Sequence, residues 1–111
     1  MDISLHEDGA RCAVALAGAL DIYAAETLRA ALLDALSRHA ALDLDLSGVE
    51  EIDSAGLQVL MAAKTLAGAE GGELTMRGHS PAVLEVLELT RLQGYFGDPV
   101  VELGAAAREG N

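Results

Sequence analysis

Short runs in which apolar and polar residues alternate predict five β-strands, because successive side chains on a strand point to opposite faces. The clearest run, residues 41–46, sets three leucines on one face and two aspartates on the other, as is typical of a central strand. The Asp8-Gly9 pair predicts a turn that joins the first two strands into an N-terminal hairpin, and Gly18 is expected to end the second strand. The predicted strands are residues 3–7, 12–16, 41–46, 73–76 and 100–103.

Apolar positions spaced by about 3.6 residues predict helices between these strands. The pattern covers residues 24–37 and again residues 54–69. Ser80-Pro81 predicts the start of a third helix, since serine is a preferred N-cap and proline a preferred first helical residue. Strands and helices alternate after the hairpin, so the predicted fold class is α/β, with a mixed, largely parallel sheet of about four or five strands and about three or four helices.

The length and composition predict one compact domain with an acidic surface. A chain of 111 residues is long enough for a single core, assigned here to residues 1–103, and the small polar tail 104–111 is expected to fray. Eighteen acidic residues against seven basic ones give a formal charge of −11. Such a surface repels nucleic acid and anionic lipid and attracts a partner with a basic face.

The residues that could carry enzyme chemistry are scattered. Three histidines (His6, His39, His79) lie far apart in sequence, and neither a glycine-rich phosphate loop nor a grouped nucleophile, base and orienting residue is recognisable. We therefore expect no catalysis, no cofactor and no metal. Cys12 is the only cysteine, and the N-terminus lacks the basic start and apolar core of a signal peptide. A cytoplasmic monomer is the expectation.

The segment 45–57 is the strongest functional candidate in the sequence. It is interpreted as the end of a buried strand, a tight acidic loop and a serine, Ser54, at the start of a helix. A helix start presents free backbone N–H groups and a positive dipole end. Ser54 or Asp53 can cap this helix, or the Ser54 hydroxyl can carry a phosphate. Gly56 in the first turn indicates a close approach by another chain or a phosphate.

Two motifs of this segment, DLSGV at 45–49 and IDSAGL at 52–57, resemble the signature of STAS domains, and within that family they resemble bacterial anti-sigma factor antagonists. The similarity extends over residues 1–103. Two features depart from the familiar pattern: Ala24 replaces a threonine that often begins the first helix, and Ala55 leaves Ser54 and Ser47 as the only hydroxyls in the segment. The residues that carry the resemblance are DLSGV at 45–49, IDSAGL at 52–57, GALD at 18–21, ETL at 26–28, SPAV at 80–83 with Leu87 and Leu92, and RLQGYF at 91–96.

The resemblance implies a switch between protein partners. The unphosphorylated domain would bind an anti-sigma factor that is also a serine kinase with a GHKL-type ATP site, and phosphorylation of Ser54 would release it. A serine phosphatase would reset the domain. The partner-binding residues carried over by the resemblance are Asp21, Asp45, Asp53, Ser54, Ala55, Gly56 and Leu57. A non-switching STAS subunit, in a lipid-transport ABC system or as a chemotaxis adaptor, is the alternative.

Overall fold

The hairpin and the alternating elements are present in the computed structural model, which describes residues 1–91. The predicted strand at 100–103 and the predicted tail at 104–111 lie outside these residues. The elements are β1 (Asp2–Asp8), β2 (Arg11–Leu20), α1 (Ile22–Arg38), β3 (Ala41–Ile52), α2 (Ser54–Ala69), β4 (Glu73–Arg77) and α3 (Pro81–Thr90).

The four strands form one sheet in the order β1-β2-β3-β4. β1 pairs antiparallel with β2, whereas β2 with β3 and β3 with β4 are parallel, which confirms the predicted α/β class and the mixed, largely parallel sheet. None of the helices within residues 1–91 is long and apolar enough to cross a membrane. The parallel pairing brings the carboxyl ends of β2 and β3, and the residues that follow them, to one edge of the molecule.

The core is built from aliphatic side chains, as the low aromatic content predicts. Leucine side chains of the central strand β3 are fully buried, and α1 and α2 pack against each other and against the sheet. The predicted apolar face of α1 is confirmed, because its buried residues recur at helical spacing. Central core residues are Val14, Leu16, Leu28, Leu32, Leu42, Leu44, Leu46, Leu60 and Leu74.

Two strands extend several residues beyond their predicted ends, while the other two agree with the prediction to within one residue at each end. β2 does not end at Gly18 but continues to Leu20, because irregularities in the β2–β3 register accommodate the positive φ of 104° at Gly18. β3 runs to Ile52, so the predicted acidic loop after residue 46 is a strand. Gly48 allows this pairing, since a Cβ there would lie 2.7 Å from the carbonyl oxygen of Leu16.

The turn between β1 and β2 is tied to the end of α1 by a polar cluster. His39 Nε2 lies 2.7 Å from Glu7 Oε1, and its Nδ1 lies 2.9 Å from the carbonyl oxygen of Gly9. Arg38 also donates to the Glu7 carboxylate. The hydrogen bond with His39, and after it the Arg38 guanidinium, hold the pKa of Glu7 below its ordinary value of 4.5.

We expect Glu7→Gln to lower the melting temperature slightly at pH 7 and to have no effect in acid. A carboxylate with a lowered pKa stabilises the fold above its ordinary value and loses that contribution as the pH falls through the folded pKa. The Glu7 side chain is 46% exposed, so solvent screening keeps the effect small. Thermal melts of both proteins from pH 7 down into the acid range check this, and a difference that does not shrink as the pH falls would contradict it.

Candidate functional site

Asp53, and not Ser54, is the N-cap of α2. Its Oδ1 accepts a hydrogen bond from the backbone N–H of Gly56 at 3.0 Å, and its backbone is extended, with φ −113°. Ser54 is the first helical residue, and its side chain is exposed. Within residues 1–91 no hydrogen bond of the Ser54 hydroxyl is present. The capping role is therefore filled by the neighbouring aspartate, and the serine hydroxyl faces solvent.

The second carboxylate oxygen of Asp53 joins the starts of two helices. Its Oδ2 accepts from the backbone N–H of Ile22, the first residue of α1, at 3.0 Å. Asp21 caps α1 in turn, since its Oδ1 accepts from the N–H groups of Tyr23 and Ala24 at 3.0 Å each. Because Leu20 and Ile52 are paired at the ends of β2 and β3, both helices begin at the same edge. The structure thus places Asp21 beside the Asp53-Ser54 pair.

Gly56 is required by the packing of this chain on itself. A Cβ at this position would lie 2.5 Å from the carbonyl oxygen of Leu20 and 2.6 Å from Leu20 Cγ. Packing against β2 therefore accounts for the glycine, and an approach of another chain or a phosphate to Gly56 stays a prediction. Leu57 is 6% exposed and belongs to the core, while Ala55 is half-buried. Of the predicted partner-binding residues in the first turn of α2, Ser54 offers the most accessible polar group.

Asp45 lies apart from this site. It pairs with Ala15 and Arg77 within the sheet, eight residues before Asp53. The stretch of β3 from Asp45 to Ile52 lies beside only Ala15 to Leu20 of β2, so at about 3.3 Å per strand residue the two aspartates are roughly 15–20 Å apart. Asp45 therefore does not lie beside Ser54, because β3 continues to Ile52; a role for Asp45 in partner binding stays a prediction. Hydrogen bonds from the Ser47 backbone N–H and hydroxyl lower the pKa of Asp45.

The surface around Ser54 is acidic and also carries two exposed apolar residues. Glu50, Glu51 and Asp53 are exposed, and they precede Ser54 in the chain. Ile22 is 65% exposed and Tyr23 is 88% exposed at the start of α1. Sequence reasoning did not single out these two residues. The sequence could have shown them, because both are large apolar residues that fall outside the apolar face that Leu28 and Leu32 define on α1.

The part of the chain that the structure describes offers little metal-binding or catalytic chemistry. Among residues 1–91 no group of three or more His, Cys, Asp or Glu side chains is arranged to hold a metal ion. His39 is used in the contacts with Glu7 and Gly9, and Cys12 is a buried free cysteine.

Known proteins are similar to this chain in sequence and in fold. Residues 3–102 match the family described as Mlab, STAS domain. The chain is 30% identical over 80 residues to the anti-sigma-B factor antagonist of Bacillus subtilis (strain 168). The aligned region covers 72% of this chain and 73% of that protein. An anti-sigma factor antagonist from Mycobacterium paratuberculosis has a similar structure, with 25% identity, a TM-score of 0.75, and coverage of 89% of this chain and 83% of that one. The phosphorylated form of the Bacillus cell fate determinant SpoIIAA shares the fold at 19% identity, with a TM-score of 0.71 and coverage of 91% and 90%.

Proposed function

Because this chain belongs to the STAS-domain family and to the anti-sigma factor antagonists within it, we propose that it is a partner switch controlled by phosphorylation of Ser54. The unmodified protein binds an anti-sigma factor that is also a serine kinase with a GHKL-type ATP site, and this frees the sigma factor. Phosphorylation of Ser54 releases the antagonist, and a serine phosphatase restores it. The switch acts in the cytoplasm, because its partners control transcription.

The exposure of the Ser54 hydroxyl is the observation that carries this proposal. A kinase must bring the γ-phosphate of ATP within bonding distance of the serine oxygen, which requires an accessible side chain. Asp53 caps α2 through Oδ1, so modification of Ser54 removes no capping hydrogen bond. The positive end of the α2 dipole also tolerates a phosphate at the first helical position. Phosphorylation is therefore expected to leave the fold intact.

The charge added by the phosphate supplies a physical means of release. A phosphoserine adds about −1.5 to −2 charges at neutral pH. These charges would lie next to the exposed carboxylate of Asp53, and Glu50 and Glu51 are exposed near the end of the preceding strand. An acidic or closely packed partner surface would meet both repulsion and added bulk. A coupling of about 1–3 kcal/mol, typical of regulated binding, changes affinity by roughly 5- to 150-fold.

The alternative from the sequence is a STAS subunit that docks constantly and is never phosphorylated. Such a subunit, in a lipid-transport ABC system or a chemotaxis array, would have the same fold and the same edge. It differs in one observable respect, since its Ser54 would receive no phosphate from an anti-sigma factor kinase. Neither hypothesis gives the chain a catalytic role of its own.

We expect a purified anti-sigma factor kinase from the same organism to transfer phosphate from ATP to Ser54. Ser54→Ala should abolish the transfer. Ser47→Ala is the matched control, because Ser47 is the other exposed hydroxyl of the segment and lies on β3, away from the helix start. Intact-mass and peptide mass spectrometry measure the modification. Equal phosphorylation of the wild type and Ser54→Ala would contradict the assignment, and no modification together with no binding would favour the non-switching subunit.

A further inference from the structure

Tyr23 is placed where it contributes nothing to the core. The chain has only three aromatic residues, two tyrosines and one phenylalanine, and Tyr23 leaves 88% of its surface in water. The neighbouring Ile22 is 65% exposed. Isolated exposed apolar residues are common, but two adjacent large ones at the edge that carries a candidate modification site form a patch suited to association. We call Ile22 and Tyr23 the Tyr23 patch.

The Tyr23 patch is connected directly to the Ser54 region. The backbone N–H of Ile22 donates to Asp53 Oδ2 at 3.0 Å, and Asp53 immediately precedes Ser54. Tyr23 also borders a hollow of about 290 Å³, whose lining includes Ile3, Ala24 and the half-buried Asp21. The start of α1 that carries Tyr23 and the start of α2 that carries Ser54 thus lie at one edge of the molecule, joined by Asp53.

The charges around the Tyr23 patch determine what kind of surface can cover it. Asp21 and Asp53 lie beside it, Glu26 is exposed on the next turn of α1, and the whole chain has a formal charge of −11. A purely apolar partner surface would have to remove these carboxylates from water without compensation. A surface with basic residues at its margin forms favourable charge interactions with these carboxylates instead. Aromatic residues in such settings often dominate the binding energy.

Resting on the proposed function, we propose that the Tyr23 patch inserts into an apolar socket rimmed by lysine or arginine on the anti-sigma factor. Tyr23 is the main anchor of this contact, and the neighbouring carboxylates face the basic rim. Phosphate on Ser54 lies at the margin of the same contact, so the partner cannot keep the socket closed over the patch without also accommodating the added group.

The role of Tyr23 can be tested without harm to the fold. Tyr23→Ala removes a ring that is 88% exposed, and alanine has the higher helix propensity, so the melting temperature should not fall. Tyr23→Phe keeps the ring. Leu89→Ala is the matched control, because Leu89 is 76% exposed on a different helix, α3. Affinity for the purified anti-sigma factor kinase is measured by titration calorimetry at low and moderate salt.

Tyr23→Ala is expected to weaken binding by about 10- to 100-fold, the range of an anchor residue, while Tyr23→Phe and Leu89→Ala stay within about threefold of the wild type. Binding of the wild type should weaken as salt rises, as the basic rim requires. Wild-type affinity in Tyr23→Ala would overturn this inference and leave the proposed function standing. A larger loss in Leu89→Ala would move the contact to α3, and failure of the wild type to bind would overturn the proposed function and this inference together.

Discussion

Replacing Gly56 with alanine is expected to destabilise the protein by about 3 kcal/mol, the upper part of the range for overpacking a filled site. The added methyl group would lie 2.5 Å from the Leu20 carbonyl oxygen and 2.6 Å from Leu20 Cγ. Since that oxygen belongs to the end of β2, relief requires the start of α2 to move off the sheet. Urea unfolding followed by circular dichroism measures the change in the free energy of unfolding.

Gly68→Ala is the matched control for this prediction. Gly68 lies near the end of the same helix, and a Cβ there meets nothing within 4 Å. Alanine should therefore stabilise the protein by about 0.5–1 kcal/mol, the difference between the two residues in a helix. If Gly56→Ala stabilises the protein as Gly68→Ala does, that result would contradict the close contact between Gly56 and β2.

Replacing Asp53 with alanine is expected to cost about 2–3 kcal/mol. The substitution removes the acceptors of two backbone N–H groups, those of Gly56 in α2 and Ile22 in α1. A lost helix cap typically costs about 1 kcal/mol, and hydrogen bonds to a charged group contribute about 1.5–3 kcal/mol each before exposure is considered. Asp53 is exposed, so water compensates part of the loss. Thermal and urea unfolding at pH 7 measure the effect.

Two further variants separate capping by Asp53 from capping by its neighbour. Asp53→Asn keeps one oxygen acceptor, so it should lose about half as much stability as Asp53→Ala. Ser54→Ala should change stability by less than about 0.5 kcal/mol, as is usual for a surface position away from specific contacts. A large loss in Ser54→Ala with a small one in Asp53→Ala would show that the serine is the cap after all.

Local sequence signals are sufficient where a structural feature is formed by neighbours in sequence. The bounds predicted for α2, residues 54–69, agree with the structure, because apolar spacing and the Gly71-Gly72 pair just after the helix define them. The predicted cap of α3 is also confirmed, since Ser80 Oγ accepts from the Val83 N–H at 3.2 Å. Both features need only residues within one or two helical turns.

The errors arise where distant parts of the chain meet. Glu50 and Glu51 resemble loop residues, yet pairing with β2 keeps them in a strand, and this extension carries Ser54 away from Asp45. Gly56 has no local reason to be glycine, and the reason becomes visible only when Leu20 is placed against it. The sequence alone does not decide whether Asp53 or Ser54 caps α2, because both residue types are good N-caps. Asp53 also accepts a hydrogen bond from Ile22, a contact between residues 31 positions apart.

The affinity of the protein for its anti-sigma factor kinase before and after phosphorylation of Ser54 tests the proposed switch most directly. Both forms, checked by mass spectrometry, would be titrated into the purified kinase in the absence of ATP, so that no further transfer occurs. The phosphorylated form should bind roughly 5- to 150-fold more weakly while its melting temperature stays close to that of the unmodified form. Equal affinity of the two forms, with phosphate confirmed on Ser54, would contradict the proposed switch.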